Sequence, residues 1–208
     1  MSVDLNVWSN HTLKFSSFAE GLEMFELKTG KRLVREAFET NEAAGETDEL
    51  PKIQYFTNFE TLKHNFKRFN QIKILTNFTY CREIDLYAKT VNFKPRGFYT
   101  RYTRWKKLAS GNIESHDGED AKTMSRFRAN WELFRYFSIE LTKNLGGNRI
   151  IYIDDNFQPQ EDKFREGRSL ECGFGLMREI SEPYELELLE LCPSEFEEKH
   201  VWFFEELD

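Results

Sequence analysis

The chain has 208 residues, 15% of them aromatic, with 29 Lys and Arg against 36 Asp and Glu for a net charge of −7. That length holds one large domain or two small ones and buries a core without staples. The aromatic content excludes a disordered chain, and no apolar run approaches the ~18–20 residues of a transmembrane helix.

The elements follow in chain order. Val3 to Trp8 alternates apolar and polar residues, the period of a strand. Ser16 or Ser17 is placed to cap a helix over Phe18 to about Lys28, with Phe18, Leu22 and Phe25 at helical spacing and Gly30 just past its end. Residues 39–51 are polar, contain Gly45 and end at Pro51, which predicts a flexible loop. Ile53–Phe56 reads as a short strand. Thr57 or Asn58 then opens a helix carrying Phe59, Leu62, Phe66 and Phe69. Gln71–Thr76 and Arg82–Val91 have strand character, and Pro95-Arg96-Gly97 signals a turn before a long strand over Phe98–Leu108.

Residues 110–119 read as a polar loop. After it, Met124, Phe127, Trp131, Phe134, Ser138, Leu141 and Leu145 recur at three and four residues, the seam of an amphipathic helix that stops at Gly146-Gly147. Arg149–Asp154 is a buried type of strand. Ser169 caps a weaker helix to about Ile180, interrupted by Gly173 and Gly175. Ser194 and Glu197 have the spacing of a capping box, predicting a last helix with Phe196, Phe203 and Leu207 on one stripe. The fold class expected is α+β: one domain over 1–208, with a central, mostly antiparallel sheet and amphipathic helices packed on it.

The opening residues lack a basic stretch followed by an apolar one, so no secretory signal is expected, and a cytoplasmic setting follows. Cys81, Cys172 and Cys192 are dispersed and odd in number, which favours reduced, packed thiols over a disulfide framework. The histidines (His11, His64, His116 and His200) show no zinc-ligand spacing. No metal and no cofactor are expected.

The charge is segregated. Residues 61–110 hold 12 basic and two acidic residues, whereas residues 159–208 hold 15 acidic and five basic ones. Such asymmetry means either that the two blocks neutralise each other or that each meets a charged partner. In the acidic quarter, Glu185, Glu187, Glu190, Glu195, Glu197, Glu198, Glu205 and Glu206 interleave with Tyr184, Phe196, Trp202, Phe203 and Phe204. Carboxylates around aromatic anchors suit a protein with a basic surface, because attraction speeds encounter and the aromatics retain it. The competing reading is a solvated helix face.

Two other constellations bear on chemistry. Asp154 and Asp155 end the apolar strand, where carboxylates can hold a divalent cation or act as a base, although Asp-Asp-Asn is also ordinary turn composition. The basic, aromatic block 64–107 has residue types for phosphates and stacked bases, against which stands a sequence pI of 5.3. No phosphate-binding glycine loop, nucleophile elbow or zinc-protease motif occurs.

The segment from Trp131-Glu132-Leu133-Phe134 through Leu145-Gly146-Gly147-Asn148-Arg149-Ile150-Ile151-Tyr152-Ile153-Asp154-Asp155 resembles bacterial immunity proteins that neutralise polymorphic toxins. The resemblance implies a cytosolic, acidic, single-domain α+β protein without catalytic machinery. The expectation is a non-enzymatic inhibitor that contacts a basic toxin or effector domain through Glu185, Glu187, Glu190, Glu195, Glu197, Glu198, Trp202, Glu205 and Glu206, with no membrane association. The alternatives are a metal-dependent hydrolase using Asp154 and Asp155, or a nucleic-acid-binding protein using residues 64–107.

Overall fold

The computed structural model describes residues 5–14, 17–38, 53–56, 71–95, 117–154, 158–183 and 202–208. In chain order these give β1 (Leu5–Asn10), α1 (Phe18–Thr29), β2 (Leu33–Phe38), β3 (Ile53–Phe56), β4 (Gln71–Thr76), β5 (Cys81–Leu86), β6 (Thr90–Pro95), α2 (Asp117–Asn144), β7 (Arg149–Asp154), α3 (Gln158–Arg165), α4 (Leu170–Arg178) and β8 (Trp202–Glu206). The strands form one sheet in the order β3-β2-β4-β5-β6-β1-β7-β8, and every pairing in it is antiparallel. The α+β architecture with a central antiparallel sheet is therefore the fold.

Parity along the strands sorts side chains onto two faces. On the first face Val7, Ile72, Ile74, Ile84, Leu86, Val91, Phe93, Ile150, Tyr152 and Phe203 meet Phe18, Leu22 and Phe25 of α1 and Trp131, Phe134, Phe137, Leu141 and Leu145 at and beyond α2. On the second face Trp8, Tyr87, Ile151, Ile153 and Trp202 meet Phe164 of α3 and Leu170 and Met177 of α4. β7 is apolar at successive positions because it serves both cores, with Ile150 and Tyr152 on one side and Ile151 and Ile153 on the other.

The seam predicted for α2 is buried at Trp131, Phe134, Ser138, Leu141 and Leu145. Gly30 and Gly146 carry positive φ values of 66° and 73° at the ends of α1 and α2, as their positions predict. The turn after α2 is fastened by β1. Asn10 Oδ1 accepts hydrogen bonds from the backbone N–H groups of Asn148 and Arg149, both at 2.9 Å, and Thr12 Oγ1 donates to the Gly146 carbonyl at 2.8 Å. A Cβ on Gly147 would strike the Asn10 carbonyl, so glycine is the residue that admits this close approach.

Several expectations need correction. Trp202–Glu206 is a strand, not the end of a helix; its apolar run sends Trp202 to the second face and Phe203 to the first, so adjacent aromatics are both needed. The polar loop at 110–119 overlaps α2, which is helical from Asp117. Arg82–Val91 is broken into a hairpin whose turn is closed by Tyr87 N–H donating to the Thr90 carbonyl at 2.9 Å. Ser17 stands at the α1 cap position but its side chain makes no capping bond. By contrast, Ser169 Oγ does cap α4, accepting from Cys172 N–H at 3.4 Å. The loop at 39–51, the helix from Thr57, the strand over Phe98–Leu108 and the capping box at Ser194 lie outside the described residues.

Candidate functional site

The carboxylates and aromatics proposed as partner contacts fall into three groups. Glu185, Glu187, Glu190, Glu195, Glu197 and Glu198 lie outside the described residues. Trp202 is fully buried between β8 and α4, where its indole N–H is shared between the Ser181 carbonyl at 3.0 Å and the Ser181 hydroxyl at 3.2 Å. Glu205 and Glu206, neighbours in sequence, point to opposite faces of the sheet.

On the first face Glu205 takes a two-pronged contact from Arg135 of α2, with Nη2 at 2.6 Å and Nε at 3.1 Å, and accepts the Tyr152 hydroxyl at 2.7 Å. The Glu205 carboxylate holds the Arg135 guanidinium above its ordinary pKa, although burial works the other way. Burial, reinforced by the Glu205 charge, drives the Tyr152 phenol well up. This cluster locks the last strand to the long helix.

On the second face Glu206 borders a cavity of about 240 Å³ lined by Arg149, Leu170, Glu171, Phe174, Phe204 and Glu206. The apolar wall comes from α4 and β8, with the rings of Phe174 and Phe204 edge to face at 4.8 Å. Across its mouth Arg149, opposite Glu206 in the β7–β8 ladder, reaches Glu206 at 3.2 Å and Glu171 at 3.4 Å. Both carboxylates are more than half exposed. The sequence reading found Glu206 but not the cavity, because Arg149, Glu171, Phe174 and Phe204 come from three separate elements whose second-face positions appear only once the sheet order is known.

The second face also carries a row that runs from β1 into the charged groups of the basic block. Trp8, Asn92, Asp85 and Lys73 stand opposite one another across β1, β6, β5 and β4. Lys94 Nζ lies 2.7 Å from Asp85 Oδ2 and also pairs with Glu83, which in turn meets Lys73 at 3.4 Å. Burial raises the Glu83 carboxyl, but Lys94 and Lys73 outweigh it and hold the group below its ordinary pKa. Lys94 is the mirror case: burial disfavours its ammonium, while Asp85 and Glu83 prevail and raise it. The two acids of residues 61–110 are thus matched to lysines of the same block.

Where this row meets α3, burial pushes the Tyr87 phenol up to about 12, with the Asp85 charge adding to it and Arg165 opposing. Glu161 is buried on α3 beside Arg165, 2.8 Å away, and burial raises its carboxyl above the usual range. Asp154 occupies the last position of β7, opposite Leu5, and Asp155 lies outside the described residues. Among the described residues no three His, Cys, Asp or Glu side chains are placed to share a metal ion, and no helix is long and apolar enough to cross a membrane. Comparison with protein-family models, curated proteins and solved structures returns no match.

Proposed function

We propose that this chain is a stoichiometric binding protein of the immunity or antitoxin type, acting in the cytoplasm on a cationic effector domain that it neutralises by direct contact. The observation that carries the reading is the placement of the cavity within the acidic quarter. Five of its six lining residues belong to residues 159–208, where 15 acidic residues face five basic ones. An apolar recess with two exposed carboxylates, Glu171 and Glu206, and one arginine at its mouth supplies the two parts such an interface needs, a desolvated anchor point and a negative rim that steers a basic partner.

The test is co-expression with a basic toxin domain encoded beside this gene. Growth rescue and a one-to-one complex by calorimetry are expected. Charge reversal at Glu171 and Glu206 weakens that complex and flattens its dependence on salt. A catalytic, sub-stoichiometric rescue, or an affinity indifferent to both reversals, would sink the reading.

A further inference from the structure

The cavity beside α4 and β8 has a more specific occupant than its acidic surroundings alone define. We infer that it seats a single bulky apolar side chain, tryptophan or one of similar size, flanked in its own chain by lysine or arginine. This rests on the proposed role as a binder of a basic protein and names what the partner inserts. Three observations carry it.

The first is size. At about 240 Å³ the cavity falls below the roughly 300–1,000 Å³ of pockets that enclose whole cofactors or drug-sized ligands, so it suits one side chain rather than a nucleotide. The second is its lining, which is apolar on the inside (Leu170, Phe174 and Phe204) and charged at the mouth. A ring entering there meets the Phe174 and Phe204 rings, which already adopt the edge-to-face arrangement that a third aromatic extends.

The third is hydrogen-bonding capacity at the rim. All three Arg149 guanidinium nitrogens already contact carboxylate, Nε and Nη2 at Glu206 Oε1 and Nη1 at Glu171 Oε1. The second oxygen of each glutamate has no partner among the described residues. The mouth therefore sets two carboxylates, each with an open oxygen, against one guanidinium that already has three of its five N–H donors on them, a rim of net negative charge. An ammonium or guanidinium on either side of the buried ring meets those open oxygens, and a flanking carboxylate meets repulsion. Arg178 already stacks over Phe174 at 5.3 Å, a cation-on-ring contact of the kind an incoming basic residue would repeat.

The intact protein, labelled with ¹⁵N, is titrated with three capped peptides: acetyl-Lys-Trp-Lys-amide, acetyl-Lys-Ala-Lys-amide and acetyl-Glu-Trp-Glu-amide. The first is expected to shift amide resonances of Leu170–Arg178 and Trp202–Glu206. It should bind roughly 10- to 100-fold more tightly than the alanine peptide, the worth of burying one large apolar side chain. Against the glutamate peptide it should win by about 3- to 10-fold or more, the span of partly exposed ion pairs.

Glu171→Gln with Glu206→Gln should erase the preference for lysine while keeping the preference for tryptophan and the unfolding midpoint. Equal binding of all three peptides, or shifts confined to other elements, would overturn the proposal. Peptide binding at the cavity without any complex with the effector would refute the inhibitor role alone. Effector capture that survives Phe204→Ala and the double glutamine variant, both folded, would refute the cavity alone.

Discussion

Glu205 serves two partners, Arg135 and the Tyr152 hydroxyl, from a side chain only 11% exposed. Its replacement by alanine leaves a guanidinium and a buried phenol without their acceptor. Hydrogen bonds to charged groups are worth about 1.5–3 kcal/mol, and a loss of that size is expected in urea unfolding. A double-mutant cycle with Arg135→Ala should return a coupling energy well above zero. Charge reversal at Glu205 would thus act through folding, which makes Glu206 and Glu171 the cleaner probes of partner binding.

His11 gives a second prediction at this scale. Its Nε2 lies 3.0 Å from the Tyr87 carbonyl, which makes that nitrogen the protonated one in the neutral ring. Burial depresses its pKa below 6.5, with the Tyr87 carbonyl partly opposing. A folded-state value below the unfolded one means the unfolded chain takes up the proton first. Stability is therefore full above the unfolded pKa near 6.5 and falls as pH drops through the folded value. His11→Gln should flatten the denaturation midpoint between about pH 7 and 5 relative to the parent. The raised pKa of Glu161 works oppositely, adding stability at low pH that is lost as pH rises through its folded value.

Elements were legible in proportion to how one-sided their burial is. α2 declares itself because one stripe carries its apolar residues, and β4 because its burial alternates. β1 was legible from the sequence alternation leading up to Val7, although Val7 and Trp8 are buried on opposite faces. α3 escaped: Gln-Pro-Gln-Glu-Asp-Lys-Phe-Arg is polar around most of its circumference, with Phe164 as its apolar anchor. β2 escaped because Leu33-Val34-Arg35-Glu36-Ala37-Phe38 fits neither period. β8 was mistaken for helix because a strand buried on both faces shows no alternation, and a run of apolar residues fits either element. The two glycines of α4, which looked like interruptions, differ in kind. A Cβ at Gly173 would overlap the Phe164 ring, whereas one at Gly175 meets nothing within 4 Å. Gly173→Ala should cost about 1–3 kcal/mol through overpacking. Gly175→Ala should raise stability by up to about 1 kcal/mol through helix propensity. Thermal unfolding of the pair would read opposite signs.

At the scale of the molecule, one sheet supports two cores, and α1 and α2 share one face while α3 and α4 hold the other. Trp131 reports on the first core and Trp202 on the second. Because β1, β7 and β8 contribute to both, the two should unfold together. Variants retaining a single tryptophan at either position are expected to give coincident fluorescence transitions, and separated midpoints would show two independent units. The charge segregation also reads differently at this scale. Lys73 and Lys94 meet Glu83 and Asp85 within the basic block, while Arg135 and Arg149 from the middle of the chain reach Glu205, Glu206 and Glu171. Neighbourhoods are balanced locally, and which carboxylates stay open at the cavity mouth depended on a strand order that charge counting does not encode.

β1 lies in the interior of the sheet, between β6 and β7, and Asn10 fastens a turn 138 residues further along the chain. On a ribosome that sets a schedule. At about 5–20 residues per second, β1 emerges roughly 7–30 s before the turn it must hold. Through that interval β6 can pair with it on one side, but the other side has no strand to meet. The second core must also wait for α3, α4 and β8. A nascent chain stalled before residue 149 should therefore hold an unfilled sheet edge and bind chaperones of the holdase kind, and completion of β8 should release it.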